Sequence, residues 1–186
     1  MSVLAKTLVA GASLIVAFLL LLALYTAIGL TPDSRVAAGD ELSDYAKQSL
    51  YDAGIVTNDD TIHYYYSEDI FRFDEYGNLF TDTHVISYEQ DYYTDERITY
   101  KASYDEISDI EFEKTDSVLE DSYIKITVNA AYDFYLAVSS EEGGDQLFYD
   151  ELVQTWHAKR HPENELEPEP AIKSNSEQPE LQAELE

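Results

Sequence analysis

The stretch GNLFTDTHVISYEQ, Gly77–Gln90, decides how this chain folds. It holds a glycine, a Thr-Asp-Thr step and a run of β-branched and aromatic residues that ends in tyrosine and glutamate. Such runs between polar punctuation read as antiparallel strands, so His84–Gln90 is a strand with Ile86 and Tyr88 on one face. Asn78–Phe80 is the strand before it, Gly77 supplies a turn, and Thr81 and Thr83 satisfy backbone groups at the junction. The same texture recurs on both sides, giving further strands at Ile62–Phe73, Arg97–Ser103, Asp109–Lys114, Ser122–Asn129 and Asp133–Ser139. In SYIKITV the residues Ile124, Ile126 and Val128 alternate with Tyr123, Lys125 and Thr127, which gives one packed face and one wet face. Phe134, Leu136 and Val138 play the buried part in the next strand.

Helical spacing flanks the strands. Leu42, Tyr45, Ala46, Ser49 and Ala53 form one stripe, so Glu41–Ala53 is a short amphipathic helix that Gly54 stops. Phe148, Leu152 and Trp156 form another stripe over Asp145–Arg160, where Asp145 at the start and Lys159 and Arg160 at the end complement the helix dipole. This second helix is expected to bury Trp156 against Ile124, Ile126 and Phe134. Upstream, Leu8–Leu30 is an uncharged run long enough for a bilayer of about 30 Å. A cleaved signal peptide has a shorter apolar core, so residues 1–30 read as an uncleaved transmembrane anchor or signal. Lys6 precedes the run and acids follow it, which places the N-terminus inside and the acidic domain outside the cytoplasm. Residues 31–60 then form a juxtamembrane helix and loop, 61–160 the strands with their C-terminal helix, and 161–186 a Glu- and Pro-rich tail expected to be disordered.

Charge narrows the function. The 186 residues carry 38 acids and 11 bases, a formal net charge of −27, and the segment 31–160 alone holds 30 acids and nine bases. Such a surface repels nucleic-acid phosphates and anionic headgroups and favours cations, basic partners or high salt. The absence of cysteine excludes disulfides, thiolate metal sites and a cysteine nucleophile.

About seven strands followed by one amphipathic helix is the order of a pleckstrin-homology-like barrel. DEYGNLFTDTHVISYE resembles the glycine turn and following strand of bacterial PH-like and GRAM-like domains, and ITYKASYDEISDIEFE resembles their next unit. The resemblance covers residues 62–156 and implies a mainly β, α+β fold, a closed antiparallel barrel capped by the C-terminal helix. It implies a scaffold that binds proteins or lipids and no chemistry. Phosphoinositide-binding members gather Lys and Arg in the first hairpin, whereas YYYSEDIFRFDEYGNLF has Arg72 as its only base among four acids. Phosphoinositide binding by that route is not expected.

The candidate site residues are few. Among 16 tyrosines, Tyr64, Tyr65, Tyr66, Tyr92 and Tyr93 could line an aromatic binding surface, although tyrosine also suits half-exposed positions of a small barrel. His157 and His161 stand four apart and could share a metal ion, but Pro162 ends the helix just after them and further ligands would have to come from elsewhere, so no metal is expected. His63 and His84 fall in strands and read as strand side chains. The acidic clusters TNDDT, YDEISD and EEGGD lack the loop pattern of an EF-hand. No nucleophile elbow or phosphate loop occurs, so neither an enzyme nor a cofactor is expected.

The sequence thus leads to a single-pass membrane protein that presents a PH-like module to a protein partner. Two other classes fit the same residues: an acidic structural envelope or virion protein of a high-salt organism, and a cone-shaped α+β domain that binds a small ligand or acts on it.

Overall fold

The computed structural model describes residues 3–27, 29–117, 120–129 and 131–160. Helix α1 spans Val3–Ala27, strand β1 Ala37–Ala38 and helix α2 Asp44–Asp52. Strands β2 (Ile62–Tyr66), β3 (Tyr76–Thr81), β4 (His84–Gln90) and β5 (Arg97–Ser103) follow, then β6 (Ile107–Glu113), β7 (Ser122–Val128) and β8 (Tyr132–Val138). A short 3₁₀ turn, Glu141–Gly143, leads into α3, Gly144–Arg160.

The strands form two antiparallel sheets, β1-β2-β3-β4-β5 and β6-β7-β8. Neither sheet closes on itself, which corrects the expected barrel. The break falls between β5 and β6, where Glu106 accepts from Ser103 N at 2.9 Å and Ser103 Oγ at 2.6 Å and turns the chain out of the first sheet. β8 instead lies against β3 and β4, and Asn78 Nδ2 donates to Ala137 O at 3.0 Å across that junction.

Period-two alternation sends neighbouring residues of the central strands to opposite faces, and both faces are covered. On one face Phe80, Val85, Ala102 and Tyr104 pack with Ile124, Ile126, Phe134 and Leu136 of the second sheet and with Phe148 and Leu152 of α3. On the other, Leu79, Ile86, Tyr88, Tyr65 and Ile62 pack with Leu42, Ala46 and Leu50 around α2. Residues 31–60 are therefore one wall of the folded unit. Ser43 caps α2 by accepting from Ala46 N at 3.1 Å, and its hydroxyl donates to Gly29 O at 2.6 Å.

That last bond fixes where α1 ends. Gly29 adopts φ +67°, a conformation that favours glycine, and Thr31 is already buried. The helix stops at Ala27, so the C-terminal end of the run Leu8–Leu30 belongs to the folded unit. Leu14, Phe18, Leu20 and Leu21 are exposed on α1. Among the described residues no helix is long and apolar enough to cross a membrane, so the transmembrane helix expected over residues 1–30 finds no support in the fold.

Two further details depart from expectation. Gly77 lies inside β3 and makes no turn; a Cβ there would collide with the ring and hydroxyl of Tyr88, its cross-strand partner, which covers that position. Trp156 is half-buried at the edge of the first core, with the Arg160 guanidinium 5.2 Å from its ring centroid. Phe148 and Leu152 carry the fully buried contact of α3. Residues 161–186, including the expected disordered tail, lie outside the described residues.

Candidate protein-binding groove

The pairing register places two rows of side chains across three strands. Asn78 pairs with Ser87 and Ser87 with Tyr100; Tyr76 pairs with Glu89 and Glu89 with Ile98. Directly opposed residues share a face, so these six lie together on the face that also carries Val85 and Ala102. The cover of that face stops partway along β5. Ala102 is 1% exposed, whereas Tyr100 and Ile98, two and four residues earlier on the same side, are 39% and 38% exposed.

Where the cover stops, a groove opens between the two sheets. Glu68, Tyr76, Asn78, Ser87 and Glu89 on one side and Tyr123, Tyr135 and Ala137 on the other enclose a cavity of about 190 Å³. Tyr123 and Tyr135 are about half exposed, at 46% and 49%. Beyond the cavity lining, Tyr100 stacks on Phe134 of the core, with centroids 6.0 Å apart. Sequence reasoning missed these residues because the wet face of SYIKITV signals only exposure. The signal was present in the tyrosines at 123 and 135, but their facing partner comes from the other sheet.

The groove is electronegative. Burial raises the Glu68 carboxyl above its usual range, and the nearby charges of Asp121 and Glu89 add to the shift. Burial also raises Asp121, against the hydrogen bond that Tyr66 donates to it at 2.8 Å. No base lines the groove, and Lys125, Arg97 and Arg72 are engaged elsewhere. Lys125 stands 3.4 Å from both Glu111 and Asp133, and Arg97 donates to Asp74 O and Ala53 O at 3.1 and 2.5 Å. Arg72, the one base of the first hairpin, pairs with Asp74 at 2.9 Å and Glu75 at 2.7 Å.

The tyrosines singled out in the sequence do not meet at one surface. Tyr64 stacks on Phe80 at 5.7 Å, Tyr65 is buried on the opposite face among the α2 contacts, and Tyr66 is buried with its hydroxyl on Asp121. Burial pushes the Tyr65 hydroxyl up to about 12. Tyr92 and Tyr93 are 90% and 92% exposed and form an edge-to-face pair in the β4–β5 loop.

The histidines are likewise apart. His63 stacks on Phe80 at 5.7 Å, and His84 Nδ1 lies 2.8 Å from Thr83 Oγ1, with burial lowering its pKa. His157 is exposed on α3 and His161 lies outside the described residues. Among the described residues no group of three or more His, Cys, Asp or Glu side chains could hold a metal ion. Acids of these clusters tie the fold together: Asp60 accepts from Thr57 N at 2.8 Å within its turn and from Thr83 Oγ1 at 2.6 Å, and Glu141 accepts from Ser34 Oγ at 2.9 Å across the chain. Thr81 fulfils its expected part, with Oγ1 accepting from Thr83 N and His84 N at 3.1 and 3.0 Å.

No protein-family profile matches this chain. No curated protein matches it either. Among solved structures, a DUF1696 family protein with a pleckstrin-homology domain from Shewanella loihica PV-4 is 15% identical. The match covers 67% of this chain and 97% of that one, with a TM-score of 0.43. A PH-domain-containing bacterial protein from Exiguobacterium sibiricum 255-15 is 16% identical over 70% of this chain, with a TM-score of 0.42. This chain spans 66% of that protein's length.

Proposed function

We propose that this chain is a membrane-tethered, PH-like module that binds another protein and performs no chemistry of its own. The PH-like reading is supported by strand order: β2 to β5 in one sheet, β6 to β8 in a second, then one helix packed on the shared core. Tethering rests on the sequence alone, through the uncharged run Leu8–Leu30.

The observation that carries the choice of partner is the state of Arg72. A headgroup site needs free cations, and the only base of the first hairpin is neutralised by two carboxylates. The groove between the sheets offers half-exposed tyrosines instead, a residue enriched at protein interfaces. Alkaline extraction of membranes should leave the full-length chain in the pellet, and release into the supernatant would remove the tether. Photo-cross-linking from the position of Tyr135 in the full-length chain should give a discrete protein adduct. Binding to anionic vesicles with no protein adduct would overturn the reading.

A further inference from the structure

We infer that the groove between the two sheets takes a lysine- or arginine-bearing segment of the partner, with one cationic side chain seated between Tyr76, Tyr123 and Tyr135. The inference rests on the protein-binding reading above and names the chemistry of what is bound. Three independent features converge on it.

The first is shape. The cavity is the size of a single long side chain, and its aromatic walls come from both sheets. A cation between aromatic faces is attracted by their quadrupoles, and burial strengthens that attraction.

The second is an unsatisfied acceptor. Asn78 is 7% exposed and lines the cavity; its Nδ2 is fixed on Ala137 O, which settles the orientation of the amide, and its Oδ1 accepts no hydrogen bond. Buried polar atoms without partners are costly, so a donor that reaches this shielded oxygen through a small side-chain shift relieves that cost. Lysine and arginine side chains carry donors only.

The third is charge. Glu68 and Glu89 flank the cavity, and none of its lining residues is a Lys, Arg or His. Among the described residues neither carboxylate has an ion-pair partner, while Lys125, Arg97 and Arg72 are held elsewhere. An anion would meet two carboxylates, whereas a cation is attracted by both.

The test is fluorescence anisotropy with the full-length chain in non-ionic detergent and a fluorescein-labelled peptide of alternating Lys and Gly. The same peptide with acetylated lysines is the neutral control. The wild-type chain should bind the first and not the second. Glu68→Gln and Glu89→Gln should each weaken binding about tenfold, and Tyr135→Ala about threefold. Asp59→Asn removes an exposed charge outside the groove lining and should change little. Thermal melts confirm that each variant is folded. Equal losses from Asp59→Asn and Glu68→Gln would mean general attraction to an acidic surface and overturn the inference, as would equal binding of the acetylated peptide. A protein adduct from position 135 that persists unchanged in Glu68→Gln and Glu89→Gln would overturn it while leaving the protein-binding reading intact. Absence of any adduct would remove that reading.

Discussion

Along β5, Ala102 and Ile98 lie on the same side of the same strand, yet one is sealed and the other is open. The two ends of this face differ in what lies over them. At the Ala102 end Phe148 of α3 meets Phe80 edge-to-face at 5.0 Å, and Ile124, Ile126 and Leu136 complete a dry core. At the Ile98 end Ile98 and Tyr100 stay partly open, half-exposed tyrosines line the groove, and Glu68 and Glu89 have no ion-pair partner among the described residues. The covered end gives stability and the open end gives up some of it, as binding sites commonly do.

Substitutions at the covered end should cost most. Phe148→Ala removes a fully buried ring and should lower unfolding free energy by about 3–5 kcal/mol, read by denaturant unfolding with circular dichroism. Trp156→Ala should cost less than Phe148→Ala, because the Trp156 ring is only half-buried; an equal or larger loss would show that α3 docks through its C-terminal turn instead. Leu50→Ala tests the opposite face of the sheet, where α2 packs, and should cost about 2–4 kcal/mol in the same cooperative transition. A separate, earlier transition would show that α2 is not part of the same folded unit.

Tyr88→Phe should cost about 1 kcal/mol, since the hydroxyl donates to Phe73 O inside the α2-side core. The smallest expected effect has the opposite sign. Glu68 is raised above the ordinary glutamate value in the folded protein, so folding favours its protonated form and its ionisation opposes folding. Glu68→Gln should therefore raise the melting temperature at neutral pH. The gain should shrink as pH falls and vanish below about 4.5, where the unfolded chain is protonated too. A lower melting temperature at neutral pH would mean that Glu68 has a stabilising partner.

The covered end was the legible one. His84–Gln90 and Arg97–Ser103 fold as strands with the bounds their composition predicts, and α3 begins one residue before Asp145. Alternation in β7 and β8 marks their packed faces correctly. β3 and β4 were harder, because adjacent residues Leu79–Phe80 and Val85–Ile86 are all buried, which hides the period of two. Strand Ala37–Ala38 was missed because two residues carry no period at all. The triple Tyr64–Tyr66 looked like a surface only until alternation split it between two cores. The groove could not be read locally: Tyr123, Tyr135 and Asn78 meet through packing of two sheets, and no spacing in the chain records where a cover stops.

The central claim is that the open end of the face is the binding surface, and hydrogen–deuterium exchange tests it most directly. The full-length chain is compared with and without saturating Lys-Gly peptide. The account predicts new protection in the segments holding Tyr76–Asn78, Ser87–Glu89, Ile98–Tyr100, Tyr123 and Tyr135, with α2 and the loop carrying Tyr92 and Tyr93 unchanged. Protection confined to α2 or that loop, or none at saturation, would contradict it.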